Sequence, residues 1–149
     1  MKLRNVLLVL LASLTLVACG GVDPNSPLGQ RQAIFKQMLK TSEDLGGMMR
    51  GRIVFDQQRF IEGAAKLDAL SKTPWQHFPQ VKEQDATNAR DDVWKRQARF
   101  KQLADELEAN TAALVVATTA KPLKSTDLVA PVQAVEDSCK ACHQEFRNH

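Results

Sequence analysis

The chain has 149 residues, the size of one domain, and its 44% hydrophobic and 25% charged content is that of a globular protein. Tyrosine is absent, β-branched residues seldom cluster, and Ala, Leu, Gln, Lys and Glu dominate, which argues against a β fold and for an all-α one. The formal charge of +3 includes Lys2 and Arg4 of a leader, whose removal leaves about +1; with no Lys/Arg run interleaved with aromatics, nucleic acid is not expected as a partner.

Residues 1–18 read as a signal peptide. MKLR supplies a positive start, and NVLLVLLASLTLV supplies an apolar stretch too short and too early for a membrane span. LVAC then places a small residue and Cys19 at the end of that stretch, followed by Gly20. This resembles the lipobox of bacterial lipoproteins, so Cys19 is expected to carry lipid and anchor the protein to a membrane. Glycine after the cysteine favours the outer membrane over the inner one. Residues 19–29, rich in Gly, Pro, Asn and Ser, read as a tether, with the folded domain over 30–149.

A first helix is expected from Leu28 to about Arg52, because Ile34, Met38, Leu45 and Met49 form one apolar stripe. Gly46, Gly47 and Gly51 weaken it and suggest a close approach by a neighbouring helix. A second helix runs from about Val54 to Ser71, with Phe60, Ala64, Leu67 and Leu70 on one side. KTPWQHFPQVKEQDATNA follows as a long connection, since Pro74 and Pro79 forbid a continuous helix. Its Trp75 and Phe78, with Trp94 beyond, are expected to pack around the loop and the helix ends.

A third helix is expected from Ala89 to about Thr119, seamed by Phe100, Leu103, Leu107 and Leu114, with Asp91 and Asp92 suited to its positive end. After the break at Pro122, Ser125 or Thr126 is the candidate cap of a fourth helix. Along that helix Leu128, Val132, Val135, Cys139, Cys142 and Phe146 recur at helical spacing. Pro131 fits only in its first turn. Four amphipathic helices predict an antiparallel four-helix bundle with a cofactor in its core.

The cofactor is indicated by CKACH, residues 139–143. Cysteines at i and i+3 lie one above the other on a helix, so both thiols can add to the vinyl groups on one side of a haem. His143 follows directly and can offer its imidazole to the iron. A thioredoxin-like dithiol would sit beside a βαβ pattern, and none is present. A zinc site would need two more ligands, and neither His77 nor His149 has the spacing to supply them; a structural disulfide between Cys139 and Cys142 is the other alternative in an exported protein. With Cys139 and Cys142 on one covalent haem c and Cys19 on lipid, none of the three cysteines is left over.

Four ordered segments resemble the cytochrome c′ family of bundle cytochromes: RQAIFKQM, LSKTPWQHF, TNARDDVW and CKACHQEFR. The resemblance implies an antiparallel four-helix bundle with a covalently bound haem c near the C-terminal helix. It implies that Cys139 and Cys142 hold the haem and that His143 is the single axial ligand. Arg31 and Gln32 are then near the propionates, Thr87 and Asn88 near the haem edge, and Arg147 near the proximal imidazole. Phe146 stands where the family often has tyrosine, so a phenolic hydrogen bond is lost.

The residue four after Arg31 carries the distal side. Low-spin relatives have a methionine ligand there, whereas this chain has Phe35, which has no donor atom. The expectation is five-coordinate, high-spin iron that admits NO and CO by displacement of the ring and rejects larger or charged ligands. No distal hydrogen-bond donor is evident near Phe35. The alternative is a low-spin electron carrier with Met38 as sixth ligand, serving a periplasmic or membrane redox partner. No general acid or base stands by Phe35, so an enzyme is not expected. The family often dimerises through its first two helices; the sequence leaves monomer or homodimer open. The expected location is the periplasmic side of a bacterial envelope.

Overall fold

The computed structural model describes residues 21–82 and 87–148. The leader, Cys19 and its lipobox lie outside the described residues, as do 83–86 in the long connection.

Helix α1 spans Pro27–Met49. Ser26 caps it by accepting a 3.0 Å hydrogen bond from the Gly29 amide, and Pro27, with no amide hydrogen to leave unpaired, occupies the first turn. The helix therefore starts one residue before the expected Leu28 and overlaps the end of the 19–29 tether; Leu28 is buried. It also ends before Arg52. Gly51 adopts φ 68°, and the Arg52 and Gly51 amides turn back onto the carbonyls of Gly47 and Met48 at 2.9 and 3.3 Å. This left-handed closure consumes carbonyls that the helix end would otherwise leave unpaired, and only glycine adopts it without strain.

Helix α2 spans Gln57–Ser71, with the Asp56 carboxylate accepting from the Arg59 amide at 3.0 Å. It starts after the expected Val54, which stays exposed, because Asp56 offers a cap and Val54 cannot. Phe60, Ala64, Leu67 and Ser71 form its buried face.

The expected third helix is two. Ala89 is in an isolated antiparallel bridge with Arg147, a short α3 covers Asp92–Lys95, and α4 covers Gln97–Ala117. The break is at Arg96, φ −121°, ψ 45°. No proline or glycine causes it. The Arg96 side chain is drawn to the last helix, reaching Glu145 at 2.7 Å and lying 5.5 Å from the centre of the Phe146 ring. Tertiary contacts thus override local propensity there. Ser125 and Thr126 do not cap the last helix either. They belong to a 3-10 turn, Ser125–Leu128, that buries Leu128 and leads into α5, Val129–Phe146.

The long helices close in a ring, α1 on α2, α2 on α4, α4 on α5 and α5 back on α1. Most of the core lies inside it, from Met38 and Leu45 through Phe60 and Leu67 to Leu114, Val132 and Val135. The chain is an antiparallel four-helix bundle. A buried hydroxyl pair ties α2 to α4: Ser71 and Thr111 are fully buried and 3.0 Å apart, and Thr111 also reaches the Asp68 carboxylate at 3.2 Å. A second cluster of Val93, Leu103 and Phe146 joins α3 and α4 to the end of α5, packed against Phe78, Phe100 and Cys142.

Candidate functional site

A cavity of about 810 Å³ opens between α1, the turn Trp75–His77, residues 87–89, α4 and α5. That volume suits a large organic cofactor. Every residue proposed from sequence for the site borders it: Arg31, Gln32, Phe35, Thr87, Asn88, Cys139, Cys142, His143 and Arg147, with the alternative ligand Met38.

Helix α5 presents the attachment motif. Cys139 and Cys142 are one turn apart, half-buried and not joined in a disulfide, and His143 follows on the more exposed side. Burial raises the Cys139 thiol above its ordinary pKa. Burial likewise pushes Cys142 up to about 11, reinforced by Cys139 and Glu145 and opposed by Arg99. Both are therefore neutral thiols at physiological pH. A redox-active dithiol needs a lowered thiol pKa, so this environment does not suit one. Nor do three or more His, Cys, Asp or Glu side chains converge as a metal site among the described residues.

Residues 87–89 and 147 are almost sixty positions apart, and backbone pairing brings them together. The Arg90 amide donates to the Phe146 carbonyl at 2.9 Å, and the Asn148 amide to the Asn88 carbonyl at 2.8 Å. The end of the long connection is thereby pinned beside the last turn of α5. Glu145 adds a side-chain clamp, taking 2.7 Å contacts from both Arg96 and Arg99. The hydrogen bond from Arg99 is the main reason why its carboxyl pKa is lowered.

The opposite wall comes from α1. Arg31 is 2% exposed; it donates to the His77 carbonyl at 3.0 Å and stacks 4.6 Å from the Phe78 ring centre. One turn later Phe35 meets Trp75 and Phe78 edge-on, with ring centres 6.0 and 6.4 Å apart. Phe100 of α4 continues this aromatic wall, 5.8 Å from Trp75 and 4.9 Å from Phe78. Trp75 and Phe78, expected as packing around the loop, are thus cavity walls as well. Their signal was present in LSKTPWQHF, but apolar spacing does not tell a core face from a cofactor face. Trp94 does pack as expected, its indole donating to the Pro79 carbonyl at 3.0 Å.

Further along, Glu136 and Arg50 border the cavity and pair twice at 2.9 Å across α1 and α5. Gly46 makes room for them, because a Cβ there would collide with both side chains. Neither residue was singled out from sequence, since a lone Glu or Arg on a helix is usually a solvated face.

The family described as Cytochrome C' matches residues 26–147. The chain belongs to the cytochrome c′ family. The cytochrome c′ of Rhodopseudomonas palustris is 31% identical over 149 residues, covering 99% of this chain and 97% of that protein. The solved cytochrome c′ of Shewanella frigidimarina is 27% identical, with TM-score 0.79, covering 87% of this chain and 100% of that one. Variants of the Alcaligenes xylosoxidans cytochrome c′ have been solved with nitric oxide and with carbon monoxide. They are 26% and 25% identical to this chain with TM-score 0.74 each, and cover 87% of it and 99% and 100% of their own chains.

As a cytochrome c′, the protein carries one covalently bound haem c. The residues present fit that group. Two unbridged neutral thiols and an imidazole share one wall, a buried arginine borders the opposite one, and the remaining lining is largely aromatic and aliphatic. One observation also calls for an occupant: the buried indole N–H of Trp75 has no hydrogen-bond partner among the described residues. Unsatisfied groups of this kind are rare in complete structures.

Proposed function

We propose that this cytochrome c′ binds small uncharged diatomic gases, NO and CO, at a five-coordinate, high-spin haem. Cys139 and Cys142 form the two thioethers and His143 is the single protein ligand. Arg31 and Gln32 attend the propionates, Thr87 and Asn88 the haem edge, and Arg147 the side of His143. The haem supplies an iron with a vacant coordination position; the chain supplies a wall that decides what reaches it. The observation that carries this reading is Phe35, a side chain without a donor atom, wedged between Trp75 and Phe78 on the α1 wall. The nitric oxide and carbon monoxide complexes of the Alcaligenes protein support the choice of ligands.

Met38 borders the same cavity and is the one observation that favours the low-spin electron carrier. A thioether buried in a continuous apolar cluster is more often packing than ligand, and Met38 is a member of the main core. Optical and EPR spectra of the purified ferric protein decide between them. A high-spin spectrum, with NO and CO binding to the ferrous form, is expected; a clean low-spin spectrum overturns the five-coordinate reading. Electron exchange through the exposed side of the site is compatible with either state and needs a reduction potential and a partner.

The protein acts on the periplasmic side of the envelope, held through lipid on Cys19 with the outer membrane favoured. Its support is the lipobox in the sequence. No helix among the described residues is long and apolar enough to cross a membrane.

A further inference from the structure

The indole of Trp75 points to a role beyond its place in the aromatic wall. The residue sits in the 3-10 turn Trp75–His77, borders the cavity and packs edge-on against Phe35 and Phe100. Its Nε1–H is buried and finds no acceptor among the described residues, whereas the other indole, Trp94, is satisfied by the Pro79 carbonyl. A buried N–H left without a partner costs about 1–3 kcal/mol. An acceptor brought by the cavity's occupant removes that cost.

The chemistry of the occupant narrows the acceptor. A haem c has four nitrogens that hold its iron, two thioether sulfurs that are only weak acceptors and belong to the α5 wall, and two propionate carboxylates on an otherwise hydrocarbon rim. A diatomic on the iron is an intermittent acceptor and would leave the indole unsatisfied whenever the ligand is absent. A carboxylate is permanent, and hydrogen bonds to charged acceptors are the stronger kind. The same turn already engages a buried cation, since Arg31 donates to the His77 carbonyl and stacks on Phe78. A positive side chain of α1 therefore lies against the segment that carries Trp75.

We infer that the Trp75 Nε1–H donates a hydrogen bond to a haem propionate, making Trp75 a positioning residue for the cofactor. It fixes the haem against the Trp75–His77 turn, and through Phe35 it fixes the wall that ligands must displace. The inference rests on haem occupying this cavity.

The test uses haem-loaded protein. In a Trp94→Phe background Trp75 is the remaining tryptophan, since the chain has two. Ultraviolet resonance Raman then reads the hydrogen-bonding state of its N–H directly. The expected result is a hydrogen-bonded indole whose band is the same with and without CO. Visible resonance Raman of Trp75→Phe should show a downshifted propionate-bending band with unchanged Fe–CO and C–O stretches. A free indole in Trp94→Phe, an unmoved propionate band, or a shift confined to the CO modes overturns the assignment. If Trp75→Phe fails to load haem, the Trp94→Phe spectrum decides alone. Wild-type protein without covalent haem overturns the haem reading as well, whereas loaded protein with a free indole overturns the role of Trp75 only.

Discussion

Replacing Phe35 by alanine tests the distal wall most directly. In the wild type, a ligand entering on that side must push the ring out of two edge-on contacts, to Trp75 at 6.0 Å and Phe78 at 6.4 Å between ring centres. Aromatic pairs of this kind are worth roughly 1 kcal/mol each, so displacement costs ~2 kcal/mol. The ring is only partly buried, so little further burial energy is at stake. A barrier of ~2 kcal/mol on the bound state is ~30-fold in affinity. Phe35→Ala should therefore bind CO ~30-fold more tightly in the ferrous form, if the full cost is removed. Leucine at the same position, with no ring to stack, should fall between. Equilibrium CO titration of the reduced protein, checked by stopped-flow association, gives the number. Unchanged CO affinity in Phe35→Ala would refute the reasoning, because it would mean that the ring is not displaced on binding.

Other expectations follow from the framework of the bundle. Glu145→Gln should lower Tm at neutral pH, since Arg96 and Arg99 lose their shared carboxylate. Because the folded pKa of Glu145 is lowered from 4.5, its contribution is present above about that pH and disappears as pH falls through the depressed value, where the two proteins should converge. The side chains are partly exposed, so added salt should shrink the difference. Thr111→Val keeps shape but removes the hydroxyl that serves Ser71 and Asp68. Ser71 retains its 2.8 Å bond to the Asp68 carbonyl, so a loss of about 1–2 kcal/mol is expected in urea unfolding of the holoprotein, and an unchanged midpoint would remove the pair from the stability account. Cys19→Ala should abolish incorporation of labelled fatty acid and release the protein from membranes; persistent label would show that the lipobox reading is wrong.

Much of the site was legible because haem attachment is local chemistry. Cys139, Cys142 and His143 occupy one helical turn, so spacing alone brings the thiols to one wall. Arg31, Gln32 and Phe35 likewise share one stretch of α1, although only family resemblance connected that stretch to the motif more than a hundred residues later. The break at Arg96 was not legible, because no proline or glycine marks it and the partners of its side chain, Glu145 and Phe146, lie on another helix. Helix ends were less legible: Asp56 and Gly51 act as cap and stop although the apolar pattern ran past both, and serine and threonine at 125 and 126 offered capping chemistry that the 3-10 turn did not use. The pairing of Glu136 with Arg50 was invisible for the same reason, since a contact between residues 86 apart leaves no periodic signal.

By itself the sequence determined the class of fold, the covalent cofactor and the absence of a donor atom at position 35. Those depend on periodicity, on i, i+3 spacing and on side-chain composition, which need no knowledge of distant neighbours. Only the tertiary structure decided what surrounds Phe35. It brought Trp75 and Phe78 from the long connection onto the α1 wall, pinned residues 87–89 to the end of α5, and left one indole N–H facing a demand that no described part of the chain meets. Burial and hydrogen-bond satisfaction are properties of the assembled interior, and a string of residues does not carry them.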